Sequence, residues 1–189
     1  PTALRQACGG CAQGLGLAIA RRFVDAGATV TVLDALIPQV HGNDPATTSP
    51  LLRSLDGVAT VVHGTVTSKD DLRKALAGAT IVVHLAAETG TGQSMYEIDR
   101  YVETNVGGTS KLLDLLANEP TEVRRVLIAS SRSIYGEGAY HSPEGALVFP
   151  PHRDDATMST GDFDVHMTGH GALEMVPTNE DAKLHPSSV

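Results

Sequence analysis

The stretch that decides the fold is Gly10-Cys11-Ala12-Gln13-Gly14-Leu15-Gly16, followed by a helical pattern to Ala26 and by Thr29-Val30-Thr31-Val32-Leu33-Asp34. Leu15, Ile19, Phe23 and Ala26 fall on one face of the predicted helix, and Gly27 stops it. The β-branched run that follows predicts a strand ending on an acid. Glycines at this spacing let a chain turn tightly and approach a pyrophosphate, and the N-terminus of the following helix favours that anion. Asp34 lies 18 residues beyond Gly16. An acid there accepts hydrogen bonds from a ribose diol and repels a 2′-phosphate, which favours NAD over NADP.

Working outward, further apolar runs occur at Thr60–His63, Thr80–Ala86 and Val126–Ser131. They are continuous rather than alternating, as parallel strands covered on both faces require. Helical patterns separate them. Ser68 and Asp71 predict a capping box before Leu72, Ala75 and Leu76. From about Tyr96 to Ala117, Val102, Val106, Thr109, Leu112, Leu113 and Leu116 recur at helical spacing, with Gly107 and Gly108 weakening the helix or admitting a neighbouring backbone. Strands alternating with helices predict an α/β fold: a Rossmann-like, doubly wound parallel sheet with helices on both faces. The segment before the glycine loop fits less well. Arg5 and Gln6 stand where a buried strand would be apolar, so a short, frayed or altered first strand is expected. Pro38 to Pro50, rich in Pro and Thr, predicts a loop.

The chain has 189 residues, a net charge of −8 and 41% apolar residues, so it can bury a core without disulfides or metal. Residues 150–189 carry seven acids against two bases, which divides a dinucleotide-binding domain, 1–149, from an acidic irregular segment, 150–189. Excess acid excludes a general nucleic-acid surface. No run of about 18 apolar residues exists to cross a membrane as a helix. The two cysteines and the lack of a signal pattern predict a reducing, cytoplasmic setting. Cys8 and Cys11 form a C-x-x-C, read as small residues lining the loop because nothing thioredoxin-like surrounds them. His166 and His170, with His152, Asp162 and Asp164 nearby, have helical metal-ligand spacing. Gly169 and Gly171 weaken any such helix, so a solvated acidic loop is expected and no metal is assigned.

Four ordered segments carry a family resemblance. They are the glycine loop with Asp34, Val83-His84-Leu85-Ala86-Ala87, Tyr101-Val102-Glu103-Thr104-Asn105-Val106-Gly107-Gly108-Thr109, and Ala129-Ser130-Ser131-Arg132-Ser133-Ile134-Tyr135-Gly136. Together they resemble the NAD-dependent epimerase/dehydratase family, the extended short-chain dehydrogenases. Thr89 to Tyr96 is similar to its dTDP-L-rhamnose 4-epimerase subgroup. The resemblance implies that Gly10, Gly14, Leu15 and Gly16 cradle the pyrophosphate of NAD and that Asp34 holds the adenosine ribose. Leu85, Ala86 and Ala87 would pass beneath the nicotinamide half. Asn105, a buried helix amide, would support the sheet ends, with Ser130 beside the cofactor. Ser131 matches the catalytic Ser/Thr that hydrogen-bonds the reacting sugar oxygen, and Glu88, Thr89, Gly90 and Thr91 would line the sugar. The implied substrate is a dTDP- or UDP-linked sugar, and the implied assembly is a homodimer through two helices, including the one near 96–117.

Three departures accompany the likeness. Thr65-Val66 stands where the family often has Asp-Val against the adenine. The glycine spacing is that of the shorter, classical short-chain oxidoreductases, which keeps such an enzyme as an alternative beside a non-catalytic NAD-sensing or interaction module. The Tyr-x-x-x-Lys acid/base motif is absent: the residues four places after the tyrosines are Arg100, Asn105, Ala139 and Glu144. His185-Pro186-Ser187 resembles the lead-in to that tyrosine, so these residues are expected to form the NAD-binding part of such an enzyme and to be inactive alone.

Overall fold

The computed structural model describes residues 5–9 and 14–186. In chain order the first unit contains β1 (Arg5–Gly9), α1 (Gly14–Asp25), β2 (Thr29–Asp34) and three single turns, α2 (Pro38–His41), α3 (Pro45–Thr48) and α4 (Pro50–Arg53). It continues with β3 (Thr60–His63), α5 (Lys69–Leu76), β4 (Ile81–His84), α6 (Thr91–Ser94) and α7 (Ile98–Tyr101). A π-helical segment, Val102–Gly107, leads into α8 (Gly108–Asn118), and β5 (Arg125–Ile128) closes the unit. The strands form one parallel sheet in the order β3-β2-β1-β4-β5.

The sheet carries helices on both faces because β2 and β4 are apolar on both. On one face Leu33 and Val82 pack with Leu72 and Ala75 of α5 and Leu112 and Leu115 of α8. On the other, Val30, Val32 and Val83 pack with Leu17 and Ala20 of α1 and with Leu55. Alternate residues of one strand thus feed opposite cores, as helices on both faces demand. Lys69–Asp114 and Arg73–Glu119 ion pairs tie α5 to α8 at its surface.

β1 is neither frayed nor displaced. It is the central strand, paired from Arg5↔Thr29 to Gly9↔Leu33 on one side and from Gln6↔Ile81 to Gly9↔His84 on the other. Backbone ladders on both edges hold it, and they do not depend on apolar side chains. The expected 38–50 loop contains α2 and α3, and α4 follows from Pro50; each turn begins at a proline, whose fixed φ and missing N–H suit a first helical position. The helix expected over 96–117 runs without a gap from Ile98 to Asn118 as α7, the π segment and α8. Ser68 caps α5, accepting from Asp71 N at 3.3 Å. The Asp71 carboxylate does not close the expected box. It accepts from Thr65 N at 3.2 Å and pairs with Lys74 at 3.0 Å.

The second unit, residues 130–189, contains a 3-10 turn (Arg132–Tyr135), β6 (Ala139–His141), β7 (Leu147–Val148), α9 (Asp155–Ser159) and β8 (Glu174–Val176). Its strands form an antiparallel sheet in the order β7-β6-β8. This pairing ties 139–148 to 174–176, so the compact units part after Ala129 rather than at the charge boundary of 149/150. Several of its acids act locally. Asp154 caps α9 through Thr157 N at 3.1 Å, and Arg153 is pinned to Glu137 at 3.0 Å.

Candidate functional site

The carboxyl ends of β1, β2 and β4 bring most of the first unit's candidate residues to one sheet edge. Gly9 lies opposite Leu33, so the turn leaving β1 starts beside Asp34. Gly10 lies outside the described residues, as does Cys11. Gly14 opens α1 at φ +53° with nothing within 4 Å of where a Cβ would stand, and Gly16 is buried. Leu15 projects outward, 70% exposed. The Gly14 conformation is readily open to glycine and strained for other residues. Gly14 thus opens the N-terminus of α1, a helix end of the kind that favours an anion.

Asp34 is half-buried at the tip of β2. Its Oδ1 accepts from Leu36 N at 2.9 Å and stands 3.7 Å from His41 Nε2. His41 is itself buried, with Nδ1 3.1 Å from Ser49 Oγ. Residue types alone did not single out His41 and Ser49. The Ser49-Pro50 pair was the available signal: a capping hydroxyl immediately before a proline predicts a helical turn there.

After β4, Leu85 and Ala86 are half-buried and Ala87 is exposed. Asn105 is half-buried rather than buried. Its side chain grips the peptide of Glu88 from both directions: Oδ1 accepts from Glu88 N at 2.8 Å, and Nδ2 donates to Glu88 O at 3.1 Å. Asn105 sits inside the π segment, and its own carbonyl accepts from Thr109 Oγ1 at 2.7 Å. Because that hydroxyl donates to the carbonyl, its oxygen is left to accept from His84 Nε2, 3.0 Å away. His84 is buried at the end of β4, and desolvation holds its imidazole below its ordinary pKa.

The loop expected to line the sugar is tightly held. Arg100 bonds Glu88 at 2.8 Å and Glu97 at 2.7 Å, so the Glu88 carboxylate is engaged within the protein. The buried Tyr101 hydroxyl lies 2.9 Å from Thr89 O and 3.2 Å from Gly90 O. Burial, reinforced by the Glu88 charge, pushes its pKa up, so it stays protonated and keeps donating. Gly90 has φ +122°, and Thr91 begins α6. Arg100 and Tyr101 carried no functional signal beyond their place in the matched segment.

Ser130 and Ser131 are exposed and open the second unit. Ser131 Oγ accepts from Ser133 N at 3.1 Å, capping the 3-10 turn, and its own proton remains to be donated. His166 pairs with Asp162 at 3.0 Å. Among the described residues no group of three or more His, Cys, Asp or Glu is placed to hold a metal ion, and no helix is long and apolar enough to cross a membrane.

A parallel sheet with helices on both faces, a glycine opening the helix after its central strand and an acid ending the adjacent strand define a Rossmann-type fold. Residues 10–154 match the NAD dependent epimerase/dehydratase family, and the chain belongs to it. It is 34% identical over 178 residues to a dTDP-L-rhamnose 4-epimerase of Burkholderia thailandensis, a match covering 93% of this chain and 46% of that one. A dTDP-glucose 4,6-dehydratase structure from Streptomyces venezuelae, with NAD and TYD bound, superposes with a TM-score of 0.60 at 26% identity, over 77% of this chain and 45% of that one. A UDP-glucuronic acid 4-epimerase from Bacillus cereus, solved with NAD and a fluorinated UDP-sugar, shares the fold with a TM-score of 0.65 at 20% identity, over 98% and 47%. The chain thus spans about half the length of these relatives.

Proposed function

We propose that this chain is the NAD-binding part of a nucleotide-sugar epimerase or dehydratase acting on a dTDP- or UDP-linked sugar in the cytoplasm. The observation that carries the reading is the β1–β2 register, which ends β1 at Gly9 opposite Leu33, one residue before Asp34. Gly14 and Gly16 give a pyrophosphate room to approach the backbone, and the α1 N-terminus offers it unpaired N–H groups. Asp34 accepts from the adenosine ribose and opposes a 2′-phosphate. Leu85, Ala86 and Ala87 supply a narrow floor beyond β4, whose exit Asn105 fixes through Glu88. Bound there, NAD would supply a reversible hydride acceptor. Ser131 donates a hydrogen bond to the sugar oxygen, and the 88–91 loop borders the sugar. The similarity to the B. thailandensis 4-epimerase supports this substrate class.

These 189 residues contain no Tyr-x-x-x-Lys, so NAD binding without sugar turnover is expected. Isothermal titration with NAD and NADP tests the cofactor reading. Saturable binding of NAD with weaker NADP binding supports it, and no heat with NAD refutes it. A homodimer is proposed through the helical face bearing Ile98, Val102, Val106 and Leu113, all exposed, on which a second copy would bury the apolar stripe.

A further inference from the structure

We propose that His41 is a positioning residue for Asp34, held in one tautomer by Ser49, and that it sets the carboxylate for the ribose of the bound dinucleotide. The inference rests on the cofactor reading above and adds two residues to it.

The contacts favour one proton arrangement. Ser49 Oγ accepts from Leu52 N at 3.3 Å as the cap of α4, and it lies 3.1 Å from His41 Nδ1. A hydroxyl that already accepts a backbone N–H has its own proton to give, and Nδ1 is its buried neighbour. With Nδ1 accepting, the neutral ring carries its proton on Nε2, which faces Asp34 Oδ1 at 3.7 Å. The order Ser49–His41–Asp34 resembles a nucleophile relay. Ser49 is only 6% exposed, however, and caps a helix, so no substrate carbonyl reaches it. The line ends on the carboxylate, and the carboxylate is what it acts upon.

A second observation points to Asp34. Leu36, two residues on, has φ +49°, a left-handed conformation that strains any residue bearing a Cβ. It is retained where Leu36 N bonds Asp34 Oδ1 at 2.9 Å. A strained backbone donor and a buried imidazole converge on Oδ1 and orient a half-buried carboxylate at the end of β2. A polar cluster of this kind contributes nothing to the apolar core, so its burial is explained by the group it orients.

The test uses the full chain, His41→Leu and His41→Gln, with two ligands: NAD and the NAD analogue lacking the 2′-hydroxyl on its adenosine ribose. Glutamine presents an amide N–H near the position of Nε2, and leucine fills the space without one. His41→Leu is expected to weaken NAD about fivefold to tenfold and the deoxy analogue less than twofold, in line with the loss of one close polar neighbour of a charged group, and His41→Gln to recover most of the loss. Equal losses for both ligands, or none, overturn the inference while leaving the cofactor reading intact. Failure of the unaltered chain to bind NAD overturns both. The tautomer is read without ligand, by long-range 1H–15N correlations of the unaltered chain at pH 8. A proton on Nε2, redistributed in Ser49→Ala, supports the relay, and a proton on Nδ1 overturns it even if His41→Leu fails to fold.

Discussion

Gly107 and Gly108 are neighbours with nearly identical helical dihedrals, φ −64° and −61°, yet Gly→Ala should act oppositely at the two. At an unobstructed helical position the exchange gains up to about 1 kcal/mol, since alanine loses less backbone freedom on folding. A Cβ on Gly107 would meet the far end of Lys111 at 3.5 Å, Val102 O at 3.8 Å and Glu103 Cγ at 3.9 Å, all ordinary contact distances. A Cβ on Gly108 would lie 2.6 Å from Val66 Cγ2 and 3.2 Å from Val66 Cβ. Carbon contacts settle near 3.5–4.0 Å, so α8 or the Val66 segment must retreat by roughly 1 Å. Val66 is buried in the core shared by α5 and α8, and its β-branched side chain is restricted at χ1. Overpacking of this sort costs about 1–3 kcal/mol. Gly107→Ala should therefore stabilise the chain by about 0.5–1 kcal/mol, and Gly108→Ala should destabilise it by about 1–2 kcal/mol net. In a chain of this size these correspond to melting shifts of about 2–4 °C per kcal/mol, in opposite directions. Urea unfolding of both variants, and of Gly108→Ala combined with Val66→Ala, measures the effect. A favourable coupling of at least about 1 kcal/mol between positions 66 and 108 is expected. Equal stabilisation by both alanines, or strict additivity in the double variant, would refute the steric argument.

Asn105→Ala removes both bonds to the Glu88 peptide and should cost about 1–3 kcal/mol in chemical denaturation, with weaker NAD binding; unchanged values would show that the loop after β4 is held elsewhere. Because burial depresses the folded-state pKa of His84, the unfolded chain binds a proton that the folded chain refuses. Its contribution is therefore intact above its ordinary value of 6.5 and is lost as pH falls below it, with a slope of at most about 1.4 kcal/mol per unit; a pH series comparing the unaltered chain with His84→Gln should show a flatter acid limb in the variant. Tyr101→Phe deletes the donor to Thr89 and Gly90 and should speed amide exchange in residues 88–94 without altering protection in β4, which exchange mass spectrometry resolves. Val106→Glu, at a position 63% exposed, should leave melting unchanged while shifting sedimentation toward monomer; unaltered sedimentation argues against the proposed pairing face.

The strands β2 to β4 were readable because a parallel strand covered on both faces must be apolar throughout, β5 was readable from its apolar run although its residues are exposed, and Ser68 was readable because a capped helix needs a side-chain acceptor. Asp34 was found from its distance to the glycine turn. β1 was not readable: its place at the sheet centre is secured by backbone pairing, while Arg5 and Gln6 speak against it. Pro38–Pro50 looked like loop because each turn is too short to show periodicity, so the buried His41 passed unnoticed. Asn105 was reached through the family resemblance, and its contact with Glu88 spans 17 residues that no local pattern connects.

The π segment does not interrupt the inward stripe of the 98–118 helix. Tyr101, Asn105, Gly108, Leu112 and Leu115 recur at steps of four, three, four and three, so one face runs through α7, the π segment and α8. Val102, Val106 and Leu113 lie off that face and are exposed. The stripe changes its work along the rod. Its first half holds the loop after β4, through the Tyr101 hydroxyl and the Asn105 amide, and its second half packs on the sheet through Leu112 and Leu115. One rod is thus a clasp at one end and a beam at the other, and a disturbance of the loop is passed to the element that braces the sheet.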